Sequence, residues 1–345
     1  MPEQVVTEVT RRAMATEFGV VLPGEDRTAI EAAIDALEEL ERIEAELSVF
    51  RPGSAISRIN ALAGSEPVRV SADVIEVLTR AVAISNLTGG AFDITAGPLV
   101  ECWGFTRRRG RKPSAAEIAA ARELVGSDRI TIDTAQRTVF LPQAGMMINL
   151  GGIGKGFALD RVAARLIAAG VTSFLLHGGR SSVLARGSDN SDTTEGWRVG
   201  IEHPLRPRVR LGELRLCDAA LATSGSGKQF FHHHGVRMGH VLDPRLGRPA
   251  GDMLSLTVIS QTAMDADALA TACFVQGLAA TTQQLAADPP SQSGSADPAW
   301  PAAALAVVEA ERQGGVRLIP LGQPAALRFE PATASGASTS GQGRD

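Results

Sequence analysis

Asp267 and Thr271 stand four residues apart in the run "DADALATACF", an otherwise apolar segment that reads as a helix. That spacing puts a carboxylate and a hydroxyl on one helix face. Together they are hard oxygen donors of the kind Mg²⁺ takes alongside phosphate oxygens and water. Acids near a first helical turn also serve as terminal charges, so the spacing leaves a metal site and a structural role both open. His240, in "GHVLDPRLGRP", precedes Asp243-Pro244 at a strand-to-turn junction. Its imidazole, largely neutral near pH 7, could act as a general base or could be hydrogen-bonded into the turn. The triplet "HHH" (His232 to His234) reads as a surface hairpin, because adjacent residues on a strand point to opposite faces.

The stretch "NLGGIGKGFALD" (Asn149 to Asp160) suggests a phosphate loop but fits neither familiar pattern. A P-loop would need Gly at Asn149 and Ser or Thr at Gly156, and a dinucleotide fingerprint would need Gly at Phe157. "TGGAFDITAGPLVECWGF" sets Phe92 and Asp93 among glycines that would let a backbone approach a planar ligand, although a helix C-cap and turn account for the same glycines. "LATSGSGKQF" reads as a phosphate-facing turn or as a hairpin.

These residues need elements to hold them. "DRTAIEAAIDALEELERIEAELS" carries apolar residues three or four apart, as a long amphipathic helix does. "SADVIEVLTRAVAISNLTGG" and "PSAAEIAAARELVG" are further helices, each capped by Ser and closed by Gly. "GFALDRVAARLIAAG" continues as a helix out of the glycine loop. Strands are expected at "MATEFGVVLPG", "SFLLHGG", "SVLARG", "WRVGIEH", "VRLGELRL", "MLSLTVIS", "AALAVVEA" and "VRLIPL", with a hairpin at "RITIDTAQRTVFLP". Helices and strands do not alternate steadily, which points to an α+β architecture.

The chain has 345 residues, 44% of them hydrophobic and 21% charged, with a net charge of -4, so no electrostatic footprint for nucleic acid is present. The short basic run "RRRGRK" (Arg107 to Lys112) reads as a solvated loop. Three scattered cysteines describe neither a disulfide framework nor a zinc site. No apolar run reaches the roughly 18 residues a membrane span needs. The N-terminal stretch carries acids and lacks an apolar core, so a cytoplasmic protein is expected.

The order of "MATEF", "LSVFRPGSAISRIN", "TGGAFDITAGPLVECWGF", "INLGGIGKGFALD", "GWRVGIEHP", "ATSGSG", "GHVLDPRLGRP" and "DADALATACFVQG" resembles the ApbE family of FAD:protein FMN transferases. The resemblance runs from Met14 to Gly277, with weaker support to Leu321. It implies a domain over residues 13–330 with an N-terminal extension at 1–12; composition marks the Pro/Ser/Gly-rich stretch at 288–301 as a mobile insertion and 331–345 as a disordered tail. The resemblance also implies an α+β fold with FAD in a cleft between sheet and helices, and Mg²⁺ on the FAD pyrophosphate. Met14 and Phe50 would line the flavin or adenine pocket, and Ala91, Phe92 and Asp93 would contact FAD. Gly151, Lys155 and Phe157 of the glycine loop and Val241 would also face the dinucleotide. The metal would be held by Asp267, Thr271 and the Gly154 carbonyl. His240 would deprotonate the Ser or Thr hydroxyl of an acceptor flavoprotein, such as a redox-complex subunit.

Four kinds of position depart from the family pattern. Ala15 replaces a Gly, Gly154 replaces an Ala, Leu246 replaces a Thr, and Phe50 and Phe157 stand where Tyr is common. None removes a proposed catalytic group. The same residues would also suit a FAD pyrophosphatase releasing FMN and AMP, or a FAD-binding protein without activity. Family members are often exported, so the acceptor is cytoplasmic or an export segment lies outside this sequence.

Overall fold

Period-two alternation in the strands sends each one's apolar residues to two different cores. In Ser182–Arg186, Leu184 joins the larger core while Val183 and Ala185 join a smaller one. Ala220 and Ala222 face the first and Leu221 the second, and Ala304 and Ala306 likewise oppose Leu305. A sheet buried on both faces follows from this pattern. The computed structural model describes residues 5–106, 110–189, 196–227, 230–286, 300–301, 303–310, 315–323 and 327–332.

That sheet has eight strands in the spatial order Val6–Ala13, Thr16–Pro23, Phe174–Gly178, Ser182–Arg186, Ala219–Gly225, Ser255–Ser260, Ala303–Glu309 and Val316–Gly322. Every neighbouring pair is antiparallel. One face packs on the helices Arg27–Leu47, Gly154–Ala168 and Ala263–Gln276. The other packs on a three-stranded sheet of Trp197–Glu202, Arg210–Leu216 and Phe329–Pro331. The α+β class expected from the sequence is the class observed.

Helix ends follow their caps. Asp26, Ser71 and Ser114 each accept a backbone N–H with the side chain, and Ser114 with Glu117 forms a reciprocal capping box. Residues 6–12, expected to be an extension outside the domain, instead belong to the edge strand, because Val6 to Ala13 pair in full register with Pro23 to Thr16. Short helices at Ala55–Ala61, Gly97–Cys102 and Leu278–Ala286 carry too little periodicity to be read from sequence. The expected insertion lies outside the described residues except for its last two positions, and the tail beyond 332 lies wholly outside them. Among the described residues no helix is long and apolar enough to cross a membrane.

Candidate active site

The helix Ala263–Gln276 lies between the other helices and the sheet, with eleven of its residues buried. Alanine at positions 263, 266, 268, 270 and 272 lets neighbours come close, and any acid on such a helix must be partnered. Both are. Asp265 receives a two-pronged contact from Arg80, with Nε at 2.6 Å and Nη2 at 2.5 Å. Asp267 receives the Lys155 ammonium at 3.0 and 3.1 Å from its two oxygens, the Gly156 N–H at 3.2 Å and the Ser182 hydroxyl at 3.2 Å. One turn along, Thr271 Oγ1 donates to the Asp267 carbonyl at 3.2 Å and lies 3.0 Å from Ser224 Oγ.

The start of this helix is closed by the glycine-loop helix, Gly154–Ala168. Asp160 accepts the N–H groups of Ala263 and Met264, each at 2.9 Å. Burial pushes the Asp160 carboxyl up to about 6, against the two backbone donors that lower it, with nearby Asp265 adding to the rise. The two helices touch at Gly156, where a Cβ would sit 2.1 Å from the Ala263 carbonyl oxygen. The position that carries Ser or Thr in a P-loop thus has no room for any side chain. Gly152 is constrained in the same way: a Cβ there would lie 3.2 Å from Phe92 and 3.3 Å from the Thr271 hydroxyl.

A cavity of about 1120 Å³ opens beside this loop. Asp267, Thr271, Lys155, Gly151 and Gly152 line one side, and His240, Val241, Leu242 and Pro244 line another. His240 sits on a turn built from Asp243, whose carboxylate holds the Arg245 guanidinium at 2.8 and 3.0 Å and whose carbonyl accepts Gly247 N–H at 2.7 Å. Trp103 Nε1 donates to the Gly247 carbonyl at 2.9 Å and so ties the turn to the helix Gly97–Cys102. The Phe105 ring stands edge-on to the His240 ring, with centroids 6.4 Å apart.

Residues 14–292 match the model of the ApbE family. The chain belongs to the ApbE family. A relative named FAD:protein FMN transferase, from Vibrio cholerae, is 33% identical over 256 residues, 73% of this chain and 75% of that one. Another of the same name, from Treponema pallidum, is 35% identical over 269 residues, 73% of this chain and 72% of its own length. Among solved structures, the ApbE protein of Thermotoga maritima superposes with a TM-score of 0.79 at 29% identity, covering 94% of this chain and all of that chain (100%). The apo flavinyl transferase ApbE of Pseudomonas stutzeri gives 0.78 at 27% identity, covering 94% and 97%.

Within this ApbE-family chain, the residues singled out from sequence fall in different places. Phe50, Ala91, Phe92, Asp93, Gly151, Lys155, Val241, His240, Asp267 and Thr271 all line the cavity. Phe50 is 72% exposed at its rim. The Asp93 carboxylate is taken up structurally: one oxygen accepts the Thr95 N–H at 2.7 Å and the Thr95 and Ser127 hydroxyls at 2.5 Å, the other the Ser127 N–H at 2.9 Å. Three expected residues lie off the cavity wall. Phe157 is 1% exposed in the core with Arg161 over its ring, Met14 packs behind the loop with its methyl 3.4 Å from a Cβ at Gly154, and Gly154 opens the helix.

Ser224 and His203 also line the cavity, while Ser182 is buried beside Asp267, and sequence reasoning gave none of the three a role of its own. Ser224 lies in the quoted "ATSGSG" run, whereas Ser182 reaches Asp267 only because its strand pairs with Ala219–Gly225. His203 accepts the Leu205 N–H at Nδ1, and burial, aided by Arg206, pulls its pKa below the usual imidazole value. The "HHH" segment belongs to the hairpin of Phe230–His233 and Val236–Gly239, and Arg111 of the basic run pairs with Glu117 in solvent.

Proposed function

We propose that this chain is a Mg²⁺-dependent FAD:protein FMN transferase that moves FMN from FAD to a Ser or Thr hydroxyl of an acceptor protein and releases AMP. One observation carries the reading. A carboxylate, a hydroxyl and an open glycine loop form one wall of a dinucleotide-sized cavity, and a histidine on a separate turn forms another. Ligand cavities run to about 300–1,000 Å³, and this one has room for a molecule as large as FAD.

The donor set suits a hard divalent cation. Asp267 and Thr271 offer oxygen donors one helical turn apart, with the Ser182 and Ser224 hydroxyls beside them. When bound, Mg²⁺ would neutralise charge on the pyrophosphate and on the departing phosphate. The rest falls to the protein. Gly151 and Gly152 let the phosphates approach the start of the helix Gly154–Ala168, whose N–H groups favour anions. His240 accepts the proton of the acceptor hydroxyl, whose oxygen bonds to the phosphorus on the FMN side. The bond from that phosphorus to the bridging oxygen breaks and AMP carries the electron pair away. The acceptor is a protein such as a redox-complex subunit, in the cytoplasm or reached after export.

The assay incubates the protein with FAD and Mg²⁺, with and without a flavoprotein acceptor, and follows AMP, free FMN and acceptor mass together. Equal yields of AMP and FMN-modified acceptor are expected. FMN and AMP formed at the same rate without acceptor would make the enzyme a pyrophosphatase, and tight FAD binding with no AMP would make it a binding protein.

A further inference from the structure

Lys155 is the cation that holds Asp267 in this structure. Its ammonium lies 3.0 and 3.1 Å from the two carboxylate oxygens, almost symmetrically, and so spans both. Asp267 is nearly fully buried, while Lys155 keeps 23% of its side chain exposed and lines the cavity. The rest of the carboxylate's surroundings is fixed: the Gly156 N–H belongs to a helix backbone and Ser182 to a central strand. Of the groups around Asp267, only the lysine is a long flexible stem with open space to move into.

Resting on the assignment of Asp267 to the metal, we propose that Lys155 is an exchangeable counter-cation. It neutralises Asp267 while the divalent ion is absent, and it yields the carboxylate and turns to the substrate's phosphates when the ion binds. Charge balance supports the exchange. The Asp267–Lys155 pair is neutral, so a divalent ion brings the site to two positive charges, equal to the two negative charges of a dinucleotide pyrophosphate. Without a resident cation, a buried carboxylate would carry a heavy desolvation cost in the metal-free protein. Lys155 therefore weakens metal binding in the empty protein and strengthens FAD binding in the loaded one.

Mg²⁺ alone, titrated calorimetrically into FAD-free protein, tests the first half, and FAD titrated at saturating Mg²⁺ tests the second. Lys155→Met should bind Mg²⁺ about tenfold tighter and FAD about tenfold weaker, the size of one charge contact in a partly buried site. Its melting temperature should fall without Mg²⁺ and return towards wild type with it. Wild-type protein supplies a readout that needs no variant. Lys155 is one of three lysines in the chain, with Lys112 and Lys228, so amine labelling read by mass spectrometry resolves it. Mg²⁺ should raise labelling of Lys155 against Lys112 as reference. Unchanged Mg²⁺ affinity in Lys155→Met, or unchanged Lys155 labelling while wild type binds Mg²⁺, would overturn the exchange alone. No Mg²⁺ binding by either protein would overturn the metal assignment and the exchange with it.

Discussion

The two walls of the cavity are built in opposite ways. The Asp267 wall consists of two long helices locked together at Gly156, with each carboxylate pinned by several donors. The His240 wall consists of a hairpin and the two-residue strands Leu242–Asp243 and Arg248–Pro249, secured by Asp243, Arg245 and the Trp103 contact. The difference matches the division of labour proposed for them. Charge stabilisation of a pyrophosphate gains from a fixed frame of donors, in which Lys155 is the one group proposed to move, whereas a base that must meet a protein acceptor gains from a support that can adjust.

The comparison breaks first at Gly156. Gly156→Ser would restore a P-loop hydroxyl, but its Cβ would strike the Ala263 carbonyl at 2.1 Å and force the helices apart. A loss of about 3 kcal/mol or more is expected in urea unfolding, together with loss of activity. Asp267→Ala should abolish Mg²⁺ dependence and lower transfer by at least about 10²-fold, measured as acceptor mass gained with time. On the other wall, Trp103→Phe removes one hydrogen bond to Gly247, a cost of about 0.5–1.5 kcal/mol. That change should slow transfer while leaving FAD affinity alone, which a KM-against-kcat comparison would separate.

Asp160 gives the Asp267 wall a pH signature. Its folded pKa is raised, so between 3.8 and about 6 the native chain holds a proton that the unfolded chain has released. The contribution is fully present below the unfolded value and is lost as pH rises through the folded one. Urea midpoints across that window should therefore decline less with pH in Asp160→Asn than in wild type. The smallest effect belongs to the hairpin between the first two strands, where Met14 and Ala15 take φ of 50° and 59°. Both sit in the left-handed region of a type I′ turn, and Ala15→Gly should raise stability by about 1 kcal/mol.

Much of this was legible in the sequence because the signals are local. The caps at Asp26, Ser71 and Ser114 and the alternation of the strands need only neighbouring residues to be read. Asp267 and Thr271 are legible for the same reason, being one turn apart. The partners of Asp267 were not, since Lys155 lies 112 residues away and Ser182 85 residues away. Phe157 shows the limit of motif reasoning: its place in the glycine motif suggests the ligand, yet the helix phase turns it into the core. Asp93 shows another limit. It faces the cavity region, but Thr95 and Ser127, the latter from the short 3-10 helix Ser127–Arg129, have claimed its oxygens.

The measurement that bears most directly on the two-wall account is made on His240→Ala, saturated with FAD and Mg²⁺ in the presence of acceptor. The account predicts FAD and Mg²⁺ affinities equal to wild type, with AMP release and acceptor modification both lowered by about 10²–10⁴-fold. Undiminished AMP release with modified acceptor, or a loss of FAD binding as large as the loss of turnover, would contradict it.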